Sequence, residues 1–557
     1  MKDKLNELLY QNFGHTKLKK EQYKIIKNIL NGNDVCAVLP TGFGKSVCYQ
    51  LPFLYTHKSV IVVSPLISLI EDQVKQLKKM NIPVCALDSS NKNKTISLRE
   101  IFNGENKIIF STPEYLALND KVLRTLEEKK QLALIAIDES HCVSNWGNDF
   151  RPSYKKLSCL RDFIPNTPIL ALTATATDKI QQDICKILRL NDPVFITGSF
   201  DRPNLYISVS ERNKNTFDIK IKSLLKIYKG QKVLIYCRSR NECDSLAKEI
   251  KSLGYKCKSY HARKTDRSEI QSDFTNGELD CIVATIAFGL GINIPDIRLV
   301  IHYNCPSDLE SYYQEIGRAG RDGEKSECYL FYSSKDFLVS RRFLNSIENT
   351  EFKKYKEKEL KYMQKFVMAN MCRRSILLEH FDKEYDLEEC DNCDFCCKPK
   401  TKKIDYSKEA KLFLKILIKI NKTYGIGIIV KIIRGSQCKQ VLGIKYLIEE
   451  FMGKGKSYSE QWWKAFANQL QVNGYIAETK LENAKSKFTG TVIKITSKGR
   501  EWYRNRDTEK MMLDFDYKIN TTCNKMTFKD FYTTYIKSKN LKIIDQLNHI
   551  IENIKII

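Results

Sequence analysis

Short apolar runs rich in Val, Ile and Leu alternate with helix-length segments along the first part of the chain. The runs are Val35–Leu39, Val60–Val63, Lys107–Phe110, Leu132–Ile137 and Pro168–Leu172. Apolar runs that alternate with helical patterns are typical of strands in a parallel sheet covered on both faces. The pattern therefore predicts an α/β domain over residues 1–200.

The same alternation begins again after Asp201-Arg202-Pro203-Asn204. Further runs, separated by helical segments such as Asn241–Leu253, predict a second α/β domain over residues 201–340. Its strands are expected at Val233–Cys237, Lys256–Tyr260, Asp280–Ala284, Leu299–Tyr303 and Cys328–Phe331.

Beyond about Ser340 the pattern becomes helical. Residues 341–403 contain a cluster of cysteines and end in the basic linker Lys398-Pro399-Lys400-Thr401-Lys402-Lys403. Residues 404–505 predict helices followed by a strand–turn–strand, and residues 506–557 form a tail to which no role is assigned.

The composition narrows the class of partner. The 557 residues include 92 Lys+Arg and 66 Asp+Glu, a formal net charge of +26, which favours nucleic acid or an anionic membrane surface. A genome that encodes Lys, Ile and Asn freely explains part of this excess. The 19 cysteines, in a chain whose polar start Met1–Glu7 does not resemble a secretory signal, indicate reduced thiols and a metal site rather than disulfides.

No apolar run reaches the ~18 residues that a membrane span needs. We therefore expect a protein that stays inside the cell, outside the membrane and at DNA: in the nucleus of a eukaryote, or in the cytoplasm and nucleoid otherwise.

A phosphate-binding loop follows the first predicted strand. The segment Pro40-Thr41-Gly42-Phe43-Gly44-Lys45-Ser46 lies between a strand and a helix, where backbone N–H groups can surround phosphates. Lys45 would meet the β- and γ-phosphates and Ser46 would hold Mg²⁺. Leu39 stands where the strict pattern has its first glycine.

Two carboxylates follow the strand Leu132–Ile137. Asp138 suits a Mg²⁺ ligand and Glu139 suits the base that orients an attacking water, because ligands of open α/β sheets bind beyond the carboxyl ends of the strands. In the second domain Arg318 and Arg321 are three residues apart and flanked by glycines. Arginines at a domain cleft can stabilise charge that develops on a γ-phosphate.

Taken in order, the motifs resemble superfamily 2 helicases of the RecQ class from about residue 10 to residue 505. The resembling segments are Phe13-Gly14 with Gln22, Pro40–Pro52, Ser64-Pro65-Leu66, Ser111-Thr112-Pro113-Glu114, Leu172–Ala176, Ala284–Ile292 and Gln314–Gly323. The resemblance implies two RecA-like, doubly wound parallel-sheet motor domains that use ATP. It implies that Gln22 reads the adenine, that Thr41, Gly42 and Gly44 join Lys45 and Ser46 around the nucleotide, and that His141 acts with Asp138 and Glu139.

The segment Cys142–Pro152 is similar to the aromatic-rich loop of RecQ enzymes. Trp146 and Phe150 would offer stacking faces to unpaired bases, and Arg151 would offer a phosphate or hydrogen-bonding contact. The loop would report single-stranded DNA to the ATP site.

Several residues depart from the family pattern. Ser140 replaces an alanine or cysteine, Asn145 and Asn148 replace a glutamine and a histidine, Lys19 replaces an arginine and Asn293 an aspartate. None of these changes removes a phosphate, metal or water-activating group, so we expect them to affect coupling more than hydrolysis.

Cys372, Cys390, Cys393 and Cys396 have a spacing that suits a tetrahedral, structural Zn²⁺ site, similar to the RecQ zinc-binding module. The segment that follows resembles the RecQ C-terminal winged helix, in particular that of Werner-type enzymes. Residues 398–460 contain 15 Lys+Arg and 5 Asp+Glu. The resemblance implies phosphate contacts from Arg434, Ser436 and Lys464 and a strand-separating aromatic, Phe488, near the tip of a hairpin between Tyr475 and Thr496. Trp462 and Trp463 are expected in the core.

These features predict an ATP- and Mg²⁺-dependent helicase that acts on single-stranded, forked or branched DNA, with 3′-to-5′ polarity implied by the family alone. Its protein partners are unknown. A DNA-stimulated ATPase or RNA-directed motor that does not unwind DNA is one alternative. A non-enzymatic DNA-binding scaffold is another, and the intact Lys45, Asp138, Glu139, Arg318 and Arg321 argue against it.

Overall fold

The computed structural model describes residues 1–513 except 90, 92, 145, 147–150, 213, 290–293, 382–388, 398–402, 421–423 and 481–490, and leaves out the side chains of 214–218, 479, 480 and 491. The chain divides into two compact units. The first contains Met1–Glu211, Leu225–Met363 and Cys372–Asp394, and the second contains Arg212–Leu224, Gln364–Met371 and the described residues from Phe395 onwards.

A seven-stranded, fully parallel sheet forms the first α/β domain. Its strands are β1 (Val35–Val38), β2 (Ser59–Val63), β3 (Val84–Leu87), β4 (Ile108–Ser111), β5 (Leu132–Ile137), β6 (Ile169–Thr173) and β7 (Val194–Thr197). The strand order is β3-β4-β2-β5-β6-β1-β7. Side chains from alternate positions fill a separate apolar core on each face of the sheet, which is why the sequence shows unbroken apolar runs.

Helices cover both faces of this sheet. They are α1 (Lys2–Phe13), α2 (Lys20–Leu30), α3 (Val47–Thr56), α4 (Ile67–Lys79), α5 (Lys94–Phe102), α6 (Pro113–Leu118), α7 (Asp120–Glu128), α8 (Pro152–Lys155), α9 (Leu160–Phe163) and α10 (Asp178–Ile187). The five predicted strands of this domain are confirmed to within a residue or so at their ends. The outer strands β3 and β7 were not predicted.

A six-stranded parallel sheet forms the second α/β domain. Its strands are β8 (Leu205–Glu211), β9 (Lys232–Tyr236), β10 (Cys257–Tyr260), β11 (Cys281–Ala284), β12 (Ile297–His302) and β13 (Ser326–Tyr332), in the order β10-β11-β9-β12-β13-β8. The predicted strands are again confirmed, and the edge strand β8 is additional. The helices are α11 (Lys214–Ile227), α12 (Arg240–Ser252), α13 (Arg267–Asn276), α14 (Leu309–Ile316), α15 (Ser334–Asn345), α16 (Thr350–Met368) and α17 (Arg373–His380).

The second unit contains a helical cluster with a small antiparallel hairpin. Its helices are α18 (Ser407–Lys419), α19 (Ile426–Arg434), α20 (Lys439–Leu442), α21 (Lys445–Ile448), α22 (Glu460–Val472) and α23 (Ser497–Arg504), and its strands are β14 (Ile404–Asp405), β15 (Ile476–Lys480), β16 (Thr491–Ile495) and β17 (Met512–Leu513). The two predicted strands are confirmed as an antiparallel pair, because Ile476 pairs with Ile495 and Lys480 with Thr491, and the segment between them lies outside the described residues.

This unit extends past residue 505, where the sequence pattern placed its end. Strand β17 pairs with β14, and Met511 and Leu513 are buried in the same core as Trp463 and Trp502. A two-residue strand carries too little periodicity to be recognised from sequence. None of the helices in the described part of the chain combines the length and apolar character needed to cross a membrane.

Candidate active site and nucleic-acid interface

The phosphate-binding loop lies between β1 and α3, as predicted. Gly42 and Gly44 have φ angles of +80° and +87°, a backbone conformation that favours glycine. A Cβ atom on Gly44 would also lie 2.8 Å from Gln22 Nε2. Both glycines are therefore required by the loop itself, and Lys45 and Ser46 follow at the start of α3, where no hydrogen bond from the Ser46 side chain caps the helix.

Gln22 is buried and supports this loop. Its Nε2 donates to the carbonyl oxygens of Phe43 and Gly44, both at 3.1 Å, and its Oε1 accepts from the Lys19 backbone N–H at 2.9 Å. The amide that was predicted to read adenine is thus engaged by the loop. Contact with a base would require it to exchange at least one of these bonds.

The acidic pair lies at the carboxyl end of β5, one strand away from the phosphate-binding loop because β6 separates β5 from β1. Asp138 Oδ1 accepts from the Glu139 backbone N–H at 3.0 Å, and the Asp138 backbone carbonyl accepts from Tyr154 Oη at 3.0 Å. Glu139 has φ +49°, a strained conformation for a residue with a side chain. This turn directs both carboxylates towards the loop.

His141 lies beside Glu139 and also contacts strand β6. Its Nδ1 lies 3.4 Å from Glu139 Oε2 and 3.0 Å from the hydroxyl oxygen of Thr173, the last residue of β6. Thr173 in turn donates to the carbonyl of Thr175. The motif segment Leu172–Ala176 therefore contacts the acidic pair through His141.

Arg318 and Arg321 from the second α/β domain face the loop and the acidic pair. A Cβ on Gly42 would lie 3.3 Å from Arg321 Cγ, and a Cβ on Gly317 would lie 3.1 Å from Thr41 Cβ. Arg318 is only 8% exposed. The phosphate-binding loop and the arginine motif, which were predicted to meet across a cleft, therefore do so. A glycine lies on each side where the two segments approach.

The charged groups of the site shift one another's pKa values. Burial, with the neighbouring Glu139, raises the pKa of Asp138 to about 6, against the opposing effect of Lys45. Burial also opposes ionisation of Glu139, but the charges of Lys45, His141, Arg318 and Arg321 outweigh it and lower the pKa of Glu139. Burial, with the charge of Arg318, lowers the pKa of Arg321 to about 9. A concentration of cations beside a buried carboxylate suits the binding of a polyphosphate with its metal ion.

Arg202 is a site residue that the sequence did not reveal, and Gln314 is one that the sequence placed in a motif without assigning it a role. Arg202 Nη2 donates to the carbonyls of Ala319 and Gly320, both at 2.9 Å, while its Nη1 donates to the Thr41 carbonyl at 3.3 Å. Gln314 Nε2 donates to Thr175 Oγ1 at 2.8 Å. An Arg-Pro-Asn segment between domains has no distinguishing pattern, whereas Gln314 was inside a recognised motif.

The described part of the aromatic-rich loop packs against α10 and α16. Lys179 Nζ lies 3.4 Å from the centroid of the Trp146 ring, and the Tyr355 ring lies edge-on to it at 5.6 Å. Arg151 Nη1 donates to the Pro65 carbonyl at 2.7 Å, which connects the loop to the motif segment Ser64-Pro65-Leu66. Phe150, Asn145 and Asn148 lie outside the described residues, as does Asn293.

The four predicted zinc ligands come together. Cys372, Cys390, Cys393 and Cys396 place their sulfur atoms within 4.8 Å of one another, without Cys397. The cluster is supported by strand β8: the Asp394 N–H donates to the Ile207 carbonyl at 2.8 Å, and Arg373 forms a two-pronged ion pair with Asp394. Four thiolates at this spacing fit tetrahedral zinc.

In the second unit, the predicted phosphate contacts lie around α19 and α22. Lys464 Nζ donates to Glu460 at 2.6 Å, and the charges of Arg434 and Lys431 also act on Glu460, so these groups are neighbours. Arg434 Nη1 donates to the Tyr458 carbonyl at 2.6 Å, and Ser436 is half-buried beyond the end of α19.

The two tryptophans of α22 are core residues, as predicted. Trp462 and Trp463 are 5% and 1% exposed, and the Tyr458 ring stacks on Trp462 at 3.7 Å. Phe488 lies in 481–490, outside the described residues, so its role as a wedge stays a prediction.

Four family models match successive parts of the chain. They are the DEAD/DEAH box helicase (residues 19–184), the helicase conserved C-terminal domain (219–323), RecQ zinc-binding (334–397) and the RQC domain (400–521).

Three named relatives are similar to this chain over most of its length. A protein of Acanthamoeba polyphaga mimivirus, whose name describes an ATP-dependent RNA helicase, is 40% identical over 93% of this chain and 95% of its own length. The ATP-dependent DNA helicase RecQ of Haemophilus influenzae is 34% identical over 88% of this chain and 79% of its own. The Mus musculus bifunctional 3′-5′ exonuclease/ATP-dependent helicase WRN is 38% identical over 88% of this chain, which spans only 36% of that protein.

Solved helicases share the fold. The DUF1998 helicase MrfA bound to DNA has a TM-score of 0.50 at 18% identity, covering 66% of this chain and 57% of its own. Mss116p bound to single-stranded RNA and AMP-PNP also has a TM-score of 0.50, at 22% identity, covering 62% of this chain and 75% of its own.

Proposed function

We propose that this chain, which belongs to the RecQ family of ATP-dependent helicases, translocates along single-stranded DNA in the 3′-to-5′ direction and opens forked or branched duplexes. The observation that carries the proposal is the convergence of Lys45 and Glu139 from one α/β domain with Arg321 from the other. An ATP site completed from two domains changes when they separate, which is how hydrolysis can move a bound strand.

The residues present fit Mg²⁺-ATP. The Ser46 side chain does not cap α3, and burial of Asp138 raises its pKa, so a cation beside this carboxylate would offset the cost of its ionisation. Ser46 and Asp138 would hold the ion, which would neutralise charge on the phosphate oxygens. Lys45 and the loop N–H groups would bind the phosphates.

Glu139 is the proposed base. Its lowered pKa keeps it ionised at neutral pH, so it can accept a proton from the water that attacks the γ-phosphorus. The bond between the γ-phosphorus and the β,γ-bridging oxygen breaks as the bond to water forms, giving ADP and phosphate. Arg318 and Arg321 would stabilise the charge on the transferring group, an effect of about 10³–10⁵ in rate in related enzymes.

Contacts between the aromatic-rich loop and helix α16 support a coupling role. In this structure Trp146 is covered by Lys179 and by Tyr355, so a DNA base could stack on it only if these contacts were exchanged. Because the loop follows Glu139 closely along the chain, exchanging these contacts would also change the position of the acidic pair. The basic winged-helix region, with Arg434, Ser436 and Lys464, would hold the duplex.

Duplexes with single-stranded tails test the direction of translocation and whether the loading strand is DNA or RNA. The loading strand should be prepared as DNA or as RNA, with a 3′ or a 5′ single-stranded tail, and displacement measured with ATP and Mg²⁺. We expect opening only of the duplex with a 3′ DNA tail. Opening from an RNA tail would favour the activity in the name of the mimivirus relative, and opening from 5′ tails would overturn the polarity.

A DNA-binding scaffold without catalysis is the competing function. It would require a disabled ATP site, whereas every predicted phosphate, metal and water-activating residue is retained. We propose that the protein acts inside the cell, at DNA, in repair, recombination or replication, and that the predicted domain limits near residues 200, 340 and 403 mark the functional parts.

A further inference from the structure

Three side chains from separate helices converge away from the ATP and four-cysteine sites. Glu310 lies in the first turn of α14, Glu359 is in α16, and His380 is the last residue of α17. One potential ligand atom from each lies within 4.8 Å of the other two. The spacing matches three ligands on one side of a metal ion.

The cluster is buried, and one polar atom of each of its three side chains lacks a hydrogen-bond partner among the described residues. Glu310 and Glu359 are 3% and 4% exposed, and the His380 side chain is 4% exposed. Within the part of the chain that the structure describes, Glu310 Oε1, Glu359 Oε2 and His380 Nε2 have no hydrogen-bond partner. His380 Nε2 lies 3.5 Å from Glu359 Oε2, too far for a good hydrogen bond. Orphaned buried polar atoms are costly, and three that converge point to a missing partner.

Burial and neighbouring acidic groups disfavour ionisation of the two carboxyls when no cation lies beside them. Burial, with Asp308 and Glu359, raises the pKa of Glu310 to about 8, and burial with Asp308 raises that of Glu359 to about 7, although Lys356 opposes both shifts and Lys358 opposes the second. Burial lowers the pKa of His380 to about 4, so its imidazole is neutral and can donate a lone pair. Tyr355 and Tyr362 complete the surroundings.

We propose that Glu310, Glu359 and His380 bind a divalent first-row metal ion, Mn²⁺ or Zn²⁺, at a second site separate from the four cysteines. Two carboxylates and one imidazole form a donor set that suits both ions, whereas the thiolates of the other cluster select Zn²⁺. The alternative is that the carboxyls share protons and bind no metal.

Such an ion would tie α14 to α16 and α17, the helices on either side of Cys372 along the chain. Helix α14 leads directly into Gly317 and Arg318, so the ion would fix the base of the segment that carries both arginines. Its predicted effect is on the stability and orientation of this segment. The inference is independent of whether the chain moves on DNA or RNA.

Mn²⁺ is the probe of choice, because it binds thiolates poorly and its electron paramagnetic resonance signal distinguishes free from bound ion. The full-length protein, with its zinc retained and without nucleotide, should be titrated with Mn²⁺. The variants are Glu310→Gln and His380→Gln, with Glu351→Gln and His15→Gln as controls at exposed positions. Asp138→Asn removes the ATP-site carboxylate.

We expect one Mn²⁺ site that persists in the controls and in Asp138→Asn and is weakened at least about 100-fold in Glu310→Gln and His380→Gln, since even partners of metal ligands typically contribute 10–100-fold. Bound Mn²⁺ should be displaced by Zn²⁺, and elemental analysis should then find a second zinc. If the wild type binds no ion beyond the four-cysteine zinc, or if the site survives in both ligand variants, the proposal is wrong. The wild-type titration decides this even if a variant fails to fold.

Discussion

Replacing Arg202 with alanine should lower the turnover of ATP without a matching change in ATP affinity. The Arg202 Nη2 group is shared by the carbonyls of Ala319 and Gly320, immediately before Arg321, and the 3.3 Å contact with Thr41 is weaker. Asn204 also donates to the Gly320 carbonyl, so this carbonyl keeps a hydrogen bond when Arg202 is removed. The Ala319 carbonyl loses the bond that Arg202 donates to it. Arg202 is therefore a positioning residue for Arg321.

The magnitude follows from one charge-assisted hydrogen bond, roughly 1.5–3 kcal/mol. Because about 1.36 kcal/mol corresponds to a factor of ten in rate, kcat should fall about 10- to 150-fold if the full contribution is realised in the transition state. The KM for ATP should change only a few-fold, since the Thr41 contact is long.

The assay is steady-state ATP hydrolysis at saturating single-stranded DNA, with folding checked by circular dichroism. Arg124→Ala is the matched control, because Arg124 forms an exposed ion pair with Asp120 one helical turn away, which contributes little. Arg202→Ala should have little further effect on an Arg321→Ala background, since residues that act together are not additive. A folded Arg202→Ala protein with kcat within about twofold of wild type would refute the reasoning.

Three further changes test other parts of the structure. Gln314→Ala removes the bond from Nε2 to Thr175, worth about 1 kcal/mol, so stimulation of ATP hydrolysis by DNA should fall about fivefold while the DNA-free rate changes little. Ser140→Ala removes a fully buried hydroxyl that has no hydrogen-bond partner among the described residues, so the melting temperature should stay the same or rise, and a clear fall would contradict its unsatisfied state. Cys393→Ser should abolish stoichiometric zinc binding at the four-cysteine cluster, measured by elemental analysis, and should lower the melting temperature, whereas Cys397→Ser should retain the zinc.

Local sequence patterns predicted the central strands and the motif residues because each of these depends on neighbours in sequence. Strands β1 and β5 are buried on both faces and show as unbroken apolar runs. The edge strands β7 and β8 are partly exposed, so their runs are mixed and resemble loops or boundaries.

The rest of the candidate site depends on contacts between distant segments. Arg202 contributes through backbone carbonyls, which carry no sequence signature. Gln22 shows the limit of a motif, because its amide holds the phosphate loop in this structure, a contact that its spacing alone does not predict. Glu310, Glu359 and His380 come from three helices and have no common spacing, so only the fold brings them together.

Unwinding and hydrolysis measured together, for the wild type and for Glu139→Gln, test the central claim that the two-domain ATP site drives strand separation. The substrate is a forked DNA duplex with a 3′ tail, in the presence of ATP and Mg²⁺. We predict that the wild type hydrolyses ATP and opens the fork, and that Glu139→Gln still binds ATP and the fork but loses both activities in parallel. Fork opening by Glu139→Gln at the wild-type rate, or hydrolysis by the wild type with no fork opened, would contradict the account.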